Sequence, residues 1–473
     1  MSQRLIFKNF SAMALAQSIS MLAGLITVMA LTRGLGPEIF GVIGFAVAVA
    51  SYLGLWTNFG MDSHGVREIA RDKSQAPRIA GITLTARLAM AIFAGLALLA
   101  GIGLTQPDDT MRAVLMIQAA GLIFVATNVE FVYQGLQRMT AIAWRQITAA
   151  ITVAGATFVF VSEPAHVFIA AAIPITVNLL TAIVLLIHFR LRVAPIALAI
   201  PLAEHRDFIR RSAPVALMGI LVTIQLNIDI IMLGVLRSEF EVGLYAAASR
   251  LFTVAVVLAT LLHGIYLPVF SESGPGTEAP PRSTAIYAQI LGIFGGTMVI
   301  IGALLSGPVI DLLFGVKFTT AETALVILLL SAGLFYFAQA YGTPLLAWQS
   351  DRAYLKIVAL TAILNLMLNA VLIPNFGMEG AAAATLATYA VFLLVLGVVV
   401  GKAYKLNHSR LFGKIIALAV VCALPMTLLR YIGKSVSVSE IIFGGIASLV
   451  VFVWMCNRLG VFKPSELRRF FTS

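Results

Sequence analysis

The sequence predicts an all-α polytopic membrane protein of about 14 transmembrane helices, arranged as two pseudo-symmetric six-helix lobes with two further helices at the C-terminal end. Three observations carry that expectation. The chain of 473 residues is 60% hydrophobic and 11% charged, with mean hydropathy +0.98, whereas soluble domains carry about 25% charged residues. Its apolar runs are repeatedly long enough to cross about 30 Å of hydrocarbon. Its basic residues alternate between crowded and sparse loops.

Taken in order, the runs lie near 10–32, 39–60, 79–104, 112–133, 141–161, 165–188, 213–236, 243–268, 285–310, 321–346, 355–373, 379–401, 412–430 and 439–459. Arg4 and Lys8 precede the first run, which at about 22 residues exceeds the h-region of a signal peptide and reads as an uncleaved span. With the N-terminus inside, about 24 Lys and Arg fall on the cytoplasmic side, among them Arg67, Arg71, Lys73, Arg78, Arg190, Arg192, Arg210, Arg211, Lys402, Lys405 and Arg410. About 6 fall outside: Arg33, Arg112, Arg237, Lys317, Arg430 and Lys434. Both termini are therefore expected in the cytoplasm. Trp56, Trp144, Trp348 and Trp454 all sit near expected cytoplasmic ends, as interfacial anchors would.

The longest loop, 189–212, separates a lobe at 1–190 from a second at 213–403, with 191–212 as a cytoplasmic linker and 404–473 as two extra helices and a tail. Its EHRDFIRR stretch reads as amphipathic at the inner interface. The Gly- and Pro-rich segment 271–282 reads as a flexible connection, and it lacks the Gly-Lys-Ser/Thr ending of a phosphate loop. A weak repeat relates the lobes. Ser11-Ala12 corresponds to Ser212-Ala213 and LGPEIFG (35–41) to LRSEFEVG (236–243), an offset of about 201 to 202 residues. Six spans per lobe make the repeat parallel.

Ionisable residues at membrane depth are costly and mark sites or buried pairs. Asp229 and Arg250 lie about 10 Å from the turn at 237–242 on successive spans, so they share one depth. They form either a structural ion pair or part of a site. Their repeat equivalents are Val28 and Ala48, so the charges exist in one lobe only. Arg87 on the third span could reach Glu130 near the end of the fourth, and Arg33 and Glu38 flank the first outer turn. Asn365 and Asn369, spaced i, i+4, can join a neighbouring helix or meet a polyhydroxy ligand, with helix glue the favoured reading. Gly380 with Ala381 to Ala384 offers a small-residue packing surface. Asn58, Gln118, Asn128, Gln225, Asn227 and Gln339 add polarity along what reads as a wet interior path.

These patterns also exclude. The net charge of +11 is scattered over short loops, which fits anionic membrane lipid and no nucleic acid. Cys422 and Cys456 lie in apolar runs and offer neither a disulfide framework nor metal-ligand spacing. Outer loops of about ten residues or fewer leave no room for a catalytic surface, so an enzyme of polysaccharide assembly is disfavoured. A scaffold would not need polar residues along its spans.

The segments LTRGLGPEIFGVIGF (31–45), NFGMDSHGVREIAR (58–71), DIIMLGVLRSEFEVGLYAAASRL (229–251), LLFGVKFTTAETALVILLL (312–330) and NAVLIPNFGMEGAAAAT (369–385) resemble the polysaccharide-export family. That family belongs to the multidrug/oligosaccharidyl-lipid/polysaccharide (MOP) superfamily, shared with multidrug antiporters and lipid II flippases. The resemblance implies a bacterial inner-membrane flippase, not an enzyme, that moves a polyprenyl-diphosphate-linked oligosaccharide outward by alternating access for O-antigen-type polysaccharide. It implies no cofactor beyond a coupling ion, Na+ or H+. Membrane lipids, a polysaccharide polymerase and chain-length components are the partners it suggests. Cavity arginines hold the diphosphate in the related flippases, and Arg33 and Arg250 match that placement; Arg87 joins them by depth, with Asp229 and Glu130 as coupling or ion-pair candidates. The alternative is a drug or metabolite cation antiporter of the same superfamily, which would want unpaired carboxylates in its cavity.

Overall fold

The protein, described from a computed structural model, is resolved into elements over residues 3–197, 200–274, 282–348, 351–432 and 438–461. Most of the connection expected at 271–282, together with Lys434, lies outside the described residues. Helices follow one another as α1 (Gln3–Asn58), α2 (Met61–Arg71), α3 (Ala76–Thr105), α4 (Asp109–Ala120), α5 (Leu122–Thr127), α6 (Glu130–Gly135), α7 (Met139–Phe160), α8 (Val167–Arg192) and α9 (Leu202–Leu236). They continue as α10 (Glu239–Ser273), α11 (Arg282–Phe314), α12 (Glu322–Ala347), α13 (Asp351–Tyr404), α14 (Ser409–Ile432) and α15 (Val438–Arg458). Helices satisfy every backbone polar group internally, which lipid demands.

Twelve stretches among the described residues are long and apolar enough to cross a membrane, where fourteen separate spans are expected. The difference lies at two glycines. Gly36 (φ 77°) interrupts α1, with Pro37 opening the next arm, and Gly377 (φ 57°) interrupts α13; glycine takes positive φ without a Cβ clash. In α13 the chain reverses. Asn365 Nδ2 donates to Thr388 Oγ1 at 3.3 Å, although 23 residues of unbroken helix would separate them by about 34 Å. A Cβ on Gly380 would stand 2.3 Å from the Leu372 carbonyl oxygen, so the arms close only over glycine.

Contacts divide the chain into two compact units, residues 1–234 with 238–243, and 235–237 with 244–473. In the first, Met61 and Ile69 of α2, Ile79 of α3, Phe131 and Tyr133 of α6, Ile142 of α7 and Phe189 of α8 form a buried apolar core. Glycines set its tightest approaches: a Cβ on Gly65 would meet the Phe131 ring at 2.9 Å, and one on Gly135 would meet Ile69 at 2.7 Å. The EHRDFIRR stretch is the start of α9. The non-helical strap before it lies on α3, where Ala197 N donates to the Pro77 carbonyl at 3.2 Å and Arg78 pairs with Glu204.

The first unit also contains a reciprocal glycine contact. A Cβ on Gly41 would lie 1.9 Å from the Glu239 carbonyl oxygen, and one on Gly243 would lie 1.8 Å from that of Pro37. Each partner is about 202 positions from its counterpart, the repeat offset, and contact of i with j′ and j with i′ is what a local two-fold produces. Alanine at both positions is expected to force these backbones apart at about 1–3 kcal/mol. Thermal unfolding unchanged in the double alanine protein would contradict so close a contact.

In the second unit α11 is the hub. Gly292 and Gly296 admit Ile415 of α14 and Phe452 of α15, which would stand 2.3 Å and 2.5 Å from added Cβ atoms, and Gly295 admits Phe337 of α12 at 2.7 Å. Trp348 departs from its expected place. It is 8% exposed, donates Nε1–H to the Phe270 carbonyl at 3.1 Å and packs edge-on to Tyr404. Trp56, Trp144 and Trp454 are exposed, as anchors are.

Candidate functional site

The expected fourth span, 112–133, is not one helix. It breaks at Gly121 and again at Asn128, whose backbone is extended (φ −71°, ψ 120°). Asparagine can support such a break with its own side chain, and Asn128 Oδ1 accepts the Glu130 N–H at 2.9 Å. An unwound turn frees main-chain carbonyls, which at membrane depth must find partners inside the protein.

Arg87 supplies that partner. Its Nη1 donates to the Asn128 carbonyl at 3.0 Å, while Nη2 donates to Asn58 Oδ1 and to Asp62 Oδ1. The side chain is 1% exposed, and its guanidinium lies 5.2 Å from the centre of the Phe131 ring. The forked donors of arginine thus tie three separated segments together: the end of α1, the first turn of α2 and the break. Asp62 reaches the guanidinium because Phe59 and Gly60 both take left-handed φ, 43° and 71°, and redirect the chain from α1 into α2. A Cβ on Gly60 would sit 2.7 Å from Ala216 N of α9, so the turn is packed as well as bent.

Next to this pair lies a cavity of about 290 Å³, walled by Ser51, Gly54, Leu55 and Asn58 of α1, Asp62 of α2, Phe124 and Val125 of α5, Asn128, and Thr223 and Asn227 of α9. Tyr52 braces the wall by donating to the Thr223 carbonyl at 3.2 Å. Asp62 is 43% exposed, so its carboxylate is reachable while the arginine behind it is not.

The expected reach of Arg87 to Glu130 is replaced. That expectation rested on an unbroken fourth helix; the break re-aims Glu130, which pairs with Arg145 of α7 at 2.5 Å. Arg145 also approaches Asn178 Oδ1 and Thr181 Oγ1 of α8, each at 3.4 Å, and lies 5.7 Å from the Phe124 ring centre. Arg87 of α3 and Arg145 of α7 therefore both brace this one break. Asp62 and Arg145 escaped the sequence reading because both stand within a turn of expected helix ends, where charge is ordinary. Asn58 and Asp62 at i, i+4, around Phe-Gly, were the available signal.

Of the remaining candidates, Asn58, Asn128 and Asn227 line the cavity and Gln225 does not. Asn365 and Asn369 are glue: they are 1% and 0% exposed, and Asn369 Nδ2 donates to Asn365 Oδ1 at 3.1 Å. Asp229 is buried on α9 in the first unit, Arg250 is exposed on α10 in the second, and Arg33 is exposed beside the Gly36 break.

Long apolar helices with buried ion pairs and a polar cavity between them define a polytopic membrane protein with a hydrophilic interior. Within that class the chain belongs to the polysaccharide biosynthesis protein family, whose model matches residues 6–273, more than half of its length. It is 22% identical over 406 residues to the "Putative O-antigen transporter" of Escherichia coli K12, covering 80% of this chain and 93% of that protein. Its fold is similar to the lipid II flippase MurJ in an inward closed conformation (TM-score 0.75, 14% identity, 95% of this chain and 99% of that one). It is also similar to an inward-facing MATE multidrug transporter of the MOP superfamily (TM-score 0.64, 16% identity, 84% and 99%).

Proposed function

We propose that the protein is a flippase that moves a polyprenyl-diphosphate-linked oligosaccharide from the inner to the outer leaflet of a bacterial cytoplasmic membrane by alternating access. The observation that carries this reading is the cavity of the first unit, lined by Asn58, Asn128, Asn227 and Asp62, with the carboxylate of Asp62 already matched by Arg87. An antiporter for organic cations would keep that carboxylate unpaired, so the pairing counts against that alternative. Membership of the polysaccharide biosynthesis family supports the same reading.

In this reading Arg250 is the first candidate for the diphosphate, because it is exposed whereas Arg87 is buried with both terminal nitrogens held by acceptors of the protein. Arg33 is a second exposed cation. Asp62 and Asp229 are the carboxylates that H+ or Na+ would neutralise during the cycle. Deletion of the protein should abolish surface polymer and leave the lipid-linked repeat unit on the cytoplasmic leaflet; normal polymer would rule the function out.

Both termini in the cytoplasm is part of the proposal. Reporter fusions at residues 107 and 375 are expected to read outside, and those at 276 and 468 inside, from the asymmetry of basic loops. A single reversed fusion would require a different topology.

A further inference from the structure

Resting on that flippase reading, we infer that the cavity of the first unit is a subsite for one neutral sugar ring of the head group, stacked on Phe124, and not the seat of the diphosphate. Charge decides against the anion. The only charged residue in the lining is Asp62, and the nearest cation, Arg87, is buried behind it with both terminal nitrogens engaged. A diphosphate here would face a carboxylate with no free guanidinium to offset it.

Hydrogen-bonding capacity points to a polyol. Among the described residues, Asn58 and Asn128 use their Oδ1 atoms within the protein but have no partner for their Nδ2 groups, and Asn227 has no hydrogen-bond partner at all. Asp62 keeps Oδ2 unengaged on its exposed side. Carboxamide donors and a carboxylate acceptor around one space match the rim of a pyranose, whose hydroxyls both give and accept.

The remaining wall supplies the apolar complement. Phe124 is the only aromatic residue of the lining, and a pyranose presents C–H bonds on its faces that pack on such a ring. Arg145, outside the lining and held by Glu130, lies 5.7 Å from the Phe124 ring centre and fixes the ring by a cation–π contact. Size is consistent with one ring: about 290 Å³ is at the small end of ligand sites.

The test is equilibrium binding to the purified full-length protein, followed by thermal stabilisation, with glucose, galactose, mannose, N-acetylglucosamine and inorganic pyrophosphate as probes. A saturable shift is expected with at least one of the sugars, weakened about 5- to 10-fold by Asn227→Ala or Phe124→Ala, and retained in Phe124→Trp. No saturable shift with any of the sugars, or a sugar affinity unchanged in Phe124→Ala, overturns the subsite. Pyrophosphate binding that is lost in Asn227→Ala also overturns it, since the cavity would then hold the anion. The deletion phenotype judges the flippase reading separately: lost polymer without sugar binding removes the subsite alone, and sugar binding without lost polymer removes the flippase.

Discussion

Replacing Asp62 by alanine is expected to cost more folded protein than replacing Arg87 by methionine, although both changes break the same pair. Removing one partner of a buried pair costs about 3–5 kcal/mol because the other charge is left uncompensated. The two leftovers differ. Arg87 is 1% exposed and stays enclosed, held only by Asn58 and the Asn128 carbonyl, whereas Asp62 is 43% exposed and can hydrate from the cavity. Arg87→Met should therefore fall at the low end of that range and Asp62→Ala at the high end. The double change Asp62→Leu with Arg87→Met should recover abundance, since a pair replaced by apolar groups is often near neutral. Quantitative immunodetection of the four proteins in membranes checks the order. Equal loss in the two single variants would mean that Asp62 and Arg87 are enclosed alike.

Arg250→Gln is expected to abolish flipping with wild-type abundance, the second large effect. Arg250 is exposed in its unit, so the loss of its charge leaves no buried group stranded. The substrate diphosphate would lose its forked donor. Lysine at this position should restore only part of the activity, because an ammonium cannot form two parallel bonds to phosphate oxygens. Surface polymer measured against protein level gives the result. Full polymer in Arg250→Gln would move the anion site elsewhere, with Arg33 as the next candidate.

The contrast between these two arginines shows how far the sequence could be read. Hydropathy made the helical membrane class legible, because lipid leaves few other ways to satisfy backbone groups. The positions of the turns were legible too: the gaps between expected spans at 33–38 and 374–378 contain Gly36 and Gly377, where the structure interrupts α1 and α13. The i, i+4 spacing of Asn365 and Asn369 put both carboxamides on one helical face as helix glue; Asn365 does reach Thr388 beyond the Gly377 break, and the bond between the two asparagines was not foreseen. Partners between helices were not legible. Arg87 was matched to Glu130 by depth along two straight helices, but depth says nothing about a broken one. The break at Asn128 turned Glu130 toward Arg145 and left Asp62 to Arg87. Trp348 failed for a related reason: nearness to a helix end does not reveal that Phe270 and Tyr404 cover it.

Vectorial movement of a lipid-linked oligosaccharide can be followed in a reconstituted system. Purified protein in vesicles, loaded with a polyprenyl-diphosphate oligosaccharide in both leaflets, is exposed to an external glycosidase that cannot cross the bilayer. Wild-type protein is expected to render the inner-leaflet pool digestible with time, while Arg250→Gln vesicles keep it protected. Protection of that pool in wild-type vesicles, under both a proton and a sodium gradient of either polarity, would mean that the protein does not flip this lipid.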